Sequence, residues 1–357
     1  MNNGQLHQPS IGRNWLYRTK AERLLGPGRL SSVAVYPYGI YVAADGGTWL
    51  HLYQRHLSEW LDPISFDASA MGLTQFYNPH IEAESDGTAW ISGCVFGAQV
   101  GAGTAVKRLS DSQMNISVRR IQGAWDQGNL SLSGAPGEAV WYSANGYWQR
   151  LRLSSDGTSV VTIESGQMFA GKGGEKQCFD IADNGIWHAA IGGYPAWDSS
   201  YRNSLMTSPA TWAVDSLYSA GDDGCYVSVA AALAGQRAFM CGAFPGRGVC
   251  VNAWKSGEMS FDPSLLLTVD PSGTSGLRRF APQLVPASRG VFCLFTKGDG
   301  IYARYLTVKG VDSKTLRIGD GSCASGAFDG SALHVAYQRD GNIYYRRIRV
   351  LPLASGG

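Results

Sequence analysis

The chain has 357 residues and a mass of 38.3 kDa, and its 46 glycines follow no period of three, which excludes collagen. Hydrophobic residues make up 44% and charged residues 16%, a balance that excludes general disorder and predicts a surface built largely from neutral polar residues. The net charge is +2 without a long basic run, which argues against a nucleic-acid-binding protein.

The N-terminal segment predicts where the protein is made. Residues 1–20, MNNGQLHQPSIGRNWLYRTK, lack the apolar core of a signal peptide, so we expect synthesis in the cytoplasm. No stretch reaches about 18 consecutive apolar residues, so we expect no membrane insertion. Residues 18–25 form the only plausible short helical segment.

The seven cysteines are an odd number and contain no Cys-x-x-Cys pair. A disulfide scaffold favours an even set, and a zinc site favours close pairs. We interpret them as small buried hydrophobic residues in strands, and we expect no metal site and no cofactor.

A turn glycine followed by an alternating apolar strand recurs seven times along the chain. The spacings between successive glycines are 48, 50, 48, 50, 55 and 40 residues. Period-two alternation after a turn is typical of a half-buried strand in a hairpin. The repeat glycines are Gly39, Gly87, Gly137, Gly185, Gly235, Gly290 and Gly330.

Each unit contains further strand patterns on both sides of the repeat glycine. Three visible strands and a weaker outer one in about 48 residues match the size of a propeller blade. The sequence therefore resembles an all-β, seven-bladed β-propeller with a single domain. The marks of WD40 repeats, Gly-His and Trp-Asp at fixed blade positions, are missing, and Asp45-Gly46-Gly47-Thr48-Trp49 is one residue short of a sialidase Asp-box.

The propeller resemblance predicts three segments: an N-terminal arm over residues 1–29, the propeller over 30–351 and a tail over 352–357. The last unit has no room for a complete outer strand. A strand from the N-terminus, at or near Trp15-Leu16-Tyr17, is the natural donor that would close the ring. Residues 1–14 would then extend beyond it and contact other protein subunits.

One hypothesis is a polysaccharide lyase at the mouth of the central channel. The register of the repeat places His80 near the start of an inner strand, with Tyr77 close by. His80 would act as the base, Tyr77 or Tyr201 as the acid, and Arg202 or Arg278 as the clamp on a uronate carboxylate. The alternative is that His80 only packs against a neighbouring blade, and no catalytic residue is assigned.

Other polar residues favour structural roles. Asp86, Asp183 and Asp329 precede turn glycines, where aspartate is common. His188 and His334 occupy similar places in two units, which indicates packing. A glycoside hydrolase needs two facing carboxylates, and the sequence does not bring a pair together.

A binding hypothesis rests on the segment that follows the fourth repeat. It mixes aromatic and hydrogen-bonding side chains, which suits sugars and also protein contacts. The alternative is a self-packed loop. Residues 95–106 are interpreted as a second insertion at the same place in their blade. The candidate binding residues are Tyr194, Trp197, Asp198, Tyr201, Arg202 and Asn203.

The absent signal, the low charge, the polar N-terminus and the propeller body together resemble a bacteriophage virion protein. That resemblance implies a non-catalytic tail or tail-fibre component that is virion-associated and contacts host surface glycans. The alternatives are a polysaccharide-active enzyme, a lyase before a hydrolase, and a lectin-like or protein-interaction propeller.

Overall fold

The computed structural model describes residues 15–97, 101–108, 114–119, 128–143, 147–155, 159–167, 176–181, 187–192, 205–206, 227–232, 237–244, 248–255, 267–271, 282–287, 289–307, 310–311 and 315–352. In these ranges the only helical element is a 3-10 turn, Ala68–Met71, and all other regular structure is β-strand. None of the described residues belongs to a helix with the length and apolar character needed to cross a membrane.

The described strands form seven antiparallel sheets, numbered here in chain order of their inner strands. The first two strands, β1 (Trp15–Thr19) and β2 (Arg23–Pro27), belong to sheet 7. Sheet 1 contains β3 (Leu30–Tyr36), β4 (Gly39–Asp45), β5 (Trp49–His56), β6 (Glu59–Trp60) and β7 (Ile64–Asp67). Sheet 2 contains β8 (Leu73–Ala83), β9 (Ala89–Gly97), β10 (Gly101–Lys107) and β11 (Asn115–Arg119). Sheet 3 contains β12 (Gly128–Leu132), β13 (Glu138–Ser143), β14 (Tyr147–Leu153) and β15 (Val160–Gln167).

The remaining sheets follow the same order. Sheet 4 contains β16 (Lys176–Ile181), β17 (Trp187–Gly192) and β18 (Leu205–Met206). Sheet 5 contains β19 (Val227–Ala232), β20 (Arg237–Phe244), β21 (Gly248–Lys255) and β22 (Leu267–Asp270). Sheet 6 contains β23 (Gln283–Ala287), β24 (Gly290–Lys297), β25 (Gly300–Thr307), β26 (Gly310–Val311) and β27 (Leu316–Asp320). Sheet 7 contains β28 (Ser322–Phe328), β29 (Ala332–Arg339) and β30 (Asn342–Pro352), with β1 and β2 on its outer edge.

The first strands of the seven sheets contact one another in a closed ring. In order, β3 contacts β8, which contacts β12, and the series runs through β16, β19, β23 and β28 back to β3. Serine side chains reinforce the ring next to β3. Ser31 Oγ lies 3.2 Å from Ser325 Oγ of β28, and Ser32 Oγ accepts a hydrogen bond from the Ile81 N–H of β8 at 3.1 Å. This closed, all-β ring is a β-propeller.

The repeat glycines mark the second strand of every sheet. The strands β4, β9, β13, β17, β20, β24 and β29 each begin no more than two residues after their repeat glycine. The local pattern finds these strands because each depends on one turn and one alternating segment.

The N-terminal strands complete sheet 7. β1 pairs antiparallel with the end of β30, from Trp15 opposite Pro352 to Thr19 opposite Ile348. β2 pairs with the beginning of the same strand, and the Lys20 N–H donates to the Arg347 carbonyl at 3.0 Å between them. The closing strand therefore lies where the propeller resemblance predicts it. Two strands, β1 and β2, form the outer edge of sheet 7, because β30 is longer than either of them.

Apolar side chains fill the spaces between neighbouring sheets. Val33 and Val42 of sheet 1, for example, pack in one cluster with Ala336 and Ile343 of sheet 7. A second cluster joins sheets 1 and 2, and others join sheets 2 and 3, 5 and 6, and 6 and 7. Burial against both neighbours explains why the second strands are almost continuously apolar.

Two local predictions are wrong. Residues 18–25 are not helical: they contain the end of β1 and the beginning of β2, because pairing with β30 outweighs their helical period. Residues 95–106 are not a separate insertion. Val95 pairs with Gly101 and Trp90 pairs with Val106, so the segment is largely the continuation of the hairpin of β9 and β10.

The two ends of the ring carry different turns. We call the end at which the inner strands begin the upper rim, and the opposite end the lower rim. Because successive strands are antiparallel, the turn between β4 and β5 (46–48) lies at the upper rim. The turns between β3 and β4 (37–38) and between β5 and β6 (57–58) lie at the lower rim.

Candidate functional site

A buried carboxylate organises the upper rim of sheet 1. Asp45 ends β4 and is fully buried, and its Oδ1 accepts hydrogen bonds from the Arg29 Nη2 at 2.9 Å and the Gly47 N–H at 2.7 Å. Gly47 has a φ of +86°, so the tight turn requires a residue that tolerates the left-handed region. The Arg29 N–H also donates to the Asp45 carbonyl, at 2.7 Å.

The same carboxylate positions an arginine at the surface. Burial raises the pKa of Asp45, while hydrogen bonds from Arg29 and from the backbone N–H groups of Gly47 and Asn78 limit the rise. The Arg29 side chain is half-exposed, and its guanidinium lies 5.9 Å from the centre of the Tyr77 ring. Arg29 and Tyr77 thus present a cation–π pair that the buried carboxylate holds in place.

A β-bulge in β8 sets which side chains reach the surface. Tyr77 pairs with Cys94 and His80 pairs with Ser92, so Asn78 and Pro79 together oppose a single residue. Asn78 has a φ of +52°, a conformation that asparagine tolerates better than most residues. The bulge leaves both Tyr77 and His80 partly exposed, although they are three residues apart.

Exposed apolar side chains lie beside this cluster. Trp49 follows the turn and is 42% exposed, and its ring is nearly parallel to that of His51, with centroids 6.4 Å apart. Met71, in the connection to β8, is 45% exposed. The two segments are joined, because the Ala68 N–H donates to the Thr48 carbonyl at 2.8 Å. We call Arg29, Trp49, Met71 and Tyr77 the upper surface.

Sequence reasoning missed most of the upper surface. Asp45-Gly46-Gly47-Thr48-Trp49 resembles a shortened Asp-box, but an aspartate and two glycines before a tryptophan also indicate a tight turn that displays an aromatic ring. Nothing in the sequence pairs Arg29 with Asp45, which lies 16 residues away.

The residues of the lyase hypothesis are only partly described. His80 is partly exposed, and its Nε2 lies 3.5 Å from Oε1 of Glu82 on the same strand. Tyr77 shares that strand. Tyr201, Arg202 and Arg278 lie outside the described residues, as do the binding candidates Tyr194, Trp197, Asp198 and Asn203.

Other polar residues in and beside the turns have structural partners. Asp86 accepts from the Thr88 N–H at 2.8 Å, and Asp329 accepts from the Ser331 N–H at 2.7 Å, as expected for aspartates in turns. Glu84 accepts from Trp90 and from the Gly137 N–H, which joins sheet 2 to sheet 3. No group of three or more metal-binding side chains occurs within the described part of the chain.

Buried polar contacts also explain His334. The ring is almost fully buried, with Nε2 2.8 Å from Asp329 Oδ2 and Nδ1 2.6 Å from the Tyr345 hydroxyl. Its partners come from its own sheet, so the histidine joins a turn to two adjacent strands. His188 lies in β17, but its side chain is outside the described part.

The comparisons with known proteins agree with the propeller fold. No protein-family model matches the sequence, and no curated protein matches it. The WD40 domain of coronin from Toxoplasma gondii is similar over 99% of this chain and 90% of its own, with a TM-score of 0.62 and 10% identity. A chain from the mitotic checkpoint complex is similar over 97% of this chain and 96% of its own, with a TM-score of 0.58 and 12% identity.

These similarities identify the fold of the chain. The chain has a β-propeller fold similar to that of the coronin WD40 domain, although Gly-His and Trp-Asp dipeptides do not recur at fixed positions of its repeats. At such identities the likeness concerns the fold alone. Neither structure is a virion protein, so they give no support to the resemblance to phage tails.

Proposed function

We propose that the protein is a non-catalytic interaction propeller that binds a protein partner through the upper surface. The observation that carries this proposal is the exposure of Trp49 and Met71 beside the Arg29–Tyr77 pair. Tryptophan, tyrosine and arginine are the residue types that dominate binding energy in protein interfaces. Here Arg29 and Trp49 lie next to strand ends and Tyr77 lies beside the β-bulge of β8, so binding would cost little additional ordering of these side chains.

The proposal is supported by the way in which the surface is built. Arg29 is oriented by a buried carboxylate, and the Trp49 ring rests on His51, whose Nδ1 lies 2.8 Å from Ser65 Oγ. A surface that only needed to be soluble would gain nothing from two large apolar side chains held in the open. One structural neighbour is a chain of a checkpoint complex; that assembly is a property of the neighbour and supports the proposal only by analogy.

The test is a pair of double variants with matched exposure. Trp49→Ala/Met71→Ala removes the apolar part of the upper surface. Val161→Ala/Ile163→Ala removes side chains that are 42% and 39% exposed on β15, away from it. The tagged parent chain is used to capture partner proteins from lysate of the cells in which the chain is naturally made. Each captured partner is then purified, and its affinity is measured for the parent and for both double variants.

We expect the upper-surface variant to bind a direct partner at least about 30-fold more weakly, which corresponds to about 2 kcal/mol, while the β15 variant binds like the parent. Equal binding by all three proteins would exclude the upper surface as the docking site.

A polysaccharide lyase is a second candidate, favoured by the partial exposure of Tyr77 and His80 on one strand. Its test is the release of unsaturated products from uronate polysaccharides, followed by ultraviolet absorbance. If His80 is the base, His80→Ala lowers turnover by about 10²–10⁴-fold. Absence of any product with the parent chain would end this hypothesis.

A role as a phage tail component that contacts host glycans is a finer form of the interaction proposal. Its support is compositional: few charges and a polar N-terminal segment. Antibody labelling of purified virions, with a glycan array for the ligand, tests it. An unlabelled virion would contradict it.

A further inference from the structure

A second exposed apolar patch lies at the lower rim of sheet 1. Tyr38 is 56% exposed in the turn between β3 and β4, and Leu57 is 65% exposed in the turn between β5 and β6. The two turns are joined directly, because the Leu57 N–H donates to the Tyr38 carbonyl at 2.5 Å. Leu61, just after β6, is 48% exposed. We call Tyr38, Leu57 and Leu61, with the acidic residues between and beside them, the lower patch.

The aromatic member of the patch rests on an ordered row of rings. The Tyr38 ring lies 6.4 Å from that of His56, whose Nδ1 is 3.1 Å from the Tyr36 hydroxyl. Tyr36 in turn stacks on the fully buried Tyr41, with centroids 4.9 Å apart. Tyr38 is therefore displayed on a rigid support.

Leu57 is displayed at a cost to the free protein. Its φ is +54°, in the left-handed region, where a leucine is less stable than glycine or asparagine. It is also the most exposed large apolar side chain in the described part of the chain. The backbone strain and the exposure of the apolar side chain both disfavour the free protein. Contact of the leucine with a partner would offset both unfavourable contributions.

The charges of the patch indicate the kind of partner. Among the exposed residues of the two turns and the segment after them, the charged ones are Glu59 and Asp62, both acidic. Arg55 is partly buried and bonds to Tyr345. One exposed cation, Arg23, lies at the border, where its guanidinium is 5.4 Å from the centre of the Trp60 ring. The lower patch is thus apolar with a negative edge.

We propose that the lower patch binds a protein segment that presents an apolar side chain flanked by lysine or arginine. The apolar side chain would pack on Tyr38 and Leu57, and the flanking cations would face Glu59 and Asp62. The lower patch lies at the opposite end of the ring from the upper surface. This second proposal can therefore be tested independently of the first.

The experiment uses the full chain and three pools of synthetic peptides of about 12 residues. All pools have Leu, Phe or Trp at the centre, and they differ only in their flanks: Lys or Arg, Ser or Asn, Asp or Glu. Binding is followed by fluorescence polarisation at two salt concentrations. We expect the basic pool to bind at least about tenfold more tightly than the neutral one, with a preference that weakens in high salt.

Leu57→Asn is the decisive variant, because asparagine suits the left-handed backbone and removes the apolar side chain. We expect it to weaken binding of the basic pool at least about tenfold while leaving the melting temperature unchanged or raised. Val161→Asn, on β15, is the matched control and keeps the parent affinity, as does the Trp49→Ala/Met71→Ala variant. Glu59→Gln/Asp62→Asn is an independent second variant, and it must abolish the preference for basic flanks.

Three outcomes overturn the proposal. The pools bind alike or not at all at about 1 mM, or Leu57→Asn binds like the parent, or Leu57→Asn lowers the melting temperature because the leucine packs within the fold. Analytical ultracentrifugation adds a fourth: self-association that Leu57→Asn abolishes would make the occupant a second copy of this chain.

Discussion

At the scale of single residues, the fold uses its buried polar groups to join strands to turns. Asp329 accepts hydrogen bonds from Ser331 and from the ring of His334, and the Arg347 Nη2 lies 3.5 Å from the same carboxylate. Burial opposes ionisation of Asp329, but the hydrogen bonds from His334 and Ser331 outweigh it and hold its pKa well below the usual range. A histidine in such a place is a packing residue, as its repeat position in the sequence indicates.

The titration of His334 tests this description. Burial lowers the pKa of His334; Asp329 opposes the effect, and the nearby charges of Arg347 and Arg55 add to it. Because the folded protein disfavours the protonated ring, stability is lost as the pH falls below the unfolded value of about 6.5. We expect the ring signal in a nuclear magnetic resonance titration, assigned by its loss in His334→Gln, to have its midpoint below 6.5. A midpoint above 6.5 would show that the effect of Asp329 on the pKa of His334 exceeds the effect of burial. Protonation of His334 would then stabilise the folded protein.

At the scale of elements, the strands that depend on local pattern could be predicted and the contacts between distant segments could not. The strands that follow Gly39, Gly290 and the other repeat glycines could be predicted because each depends on one turn and one segment of alternating apolar residues. The bulge at Asn78 and the position of Arg29 depend on residues brought close only by the ring. The sequence around Glu22 likewise gives no indication of its hydrogen bond with Tyr337, which lies 315 residues away. The candidate site was therefore less predictable than the fold.

Glu22 joins the N-terminal strands to sheet 7. It lies between β1 and β2 and accepts hydrogen bonds from the Tyr337 hydroxyl and from the Arg339 Nη2, the latter at 2.5 Å. The Arg346 Nη2 is 3.7 Å away. Burial opposes ionisation of Glu22, but the bonds from Tyr337 and Arg339 and the charge of Arg346 prevail and lower its pKa. Burial and Glu22 together raise the pKa of Tyr337.

The stabilisation supplied by Glu22 should depend on pH. Because its folded pKa is lowered, the contribution is complete above the unfolded value of about 4.3 and is lost as the pH falls through the folded value. We expect Glu22→Gln to lower the free energy of unfolding by about 2 kcal/mol at pH 7, and the difference from the parent to shrink towards pH 3. Urea unfolding across this range measures it. The control is Glu164→Gln, at an exposed pair with Arg150 at 3.8 Å, for which we expect less than about 1 kcal/mol. If the difference in free energy of unfolding between Glu22→Gln and the parent does not change with pH, the effect of the substitution comes from packing and not from the charge of Glu22.

At the scale of the whole molecule, closure links the two ends of the sequence. Sheet 7 takes its inner three strands from the C-terminal part and its outer edge from residues 15–27. Since β28 also contacts β3, sheet 7 packs directly beside sheet 1, which carries both proposed surfaces. The Tyr53 hydroxyl donates to the Pro27 carbonyl at 3.0 Å, so sheet 1 contacts the closing segment itself. Ring closure and the geometry of the binding surfaces are therefore coupled.

Truncation from the N-terminus tests that coupling. A chain that begins at Trp15 keeps β1 and β2 and serves as the reference, and a chain that begins at Gly28 loses both. Without them the outer edge of β30 has unpaired backbone groups from Asn342 to Pro352, and Tyr337, Arg339 and Arg346 lose Glu22. We expect the shorter chain to melt at least several degrees below the reference and to associate through the open edge, which light scattering detects. A synthetic peptide of residues 15–27 should restore part of the lost melting temperature, and a version with Glu22→Gln should restore less. If the two chains melt within about a degree of each other, the N-terminal strands do not close the ring in solution.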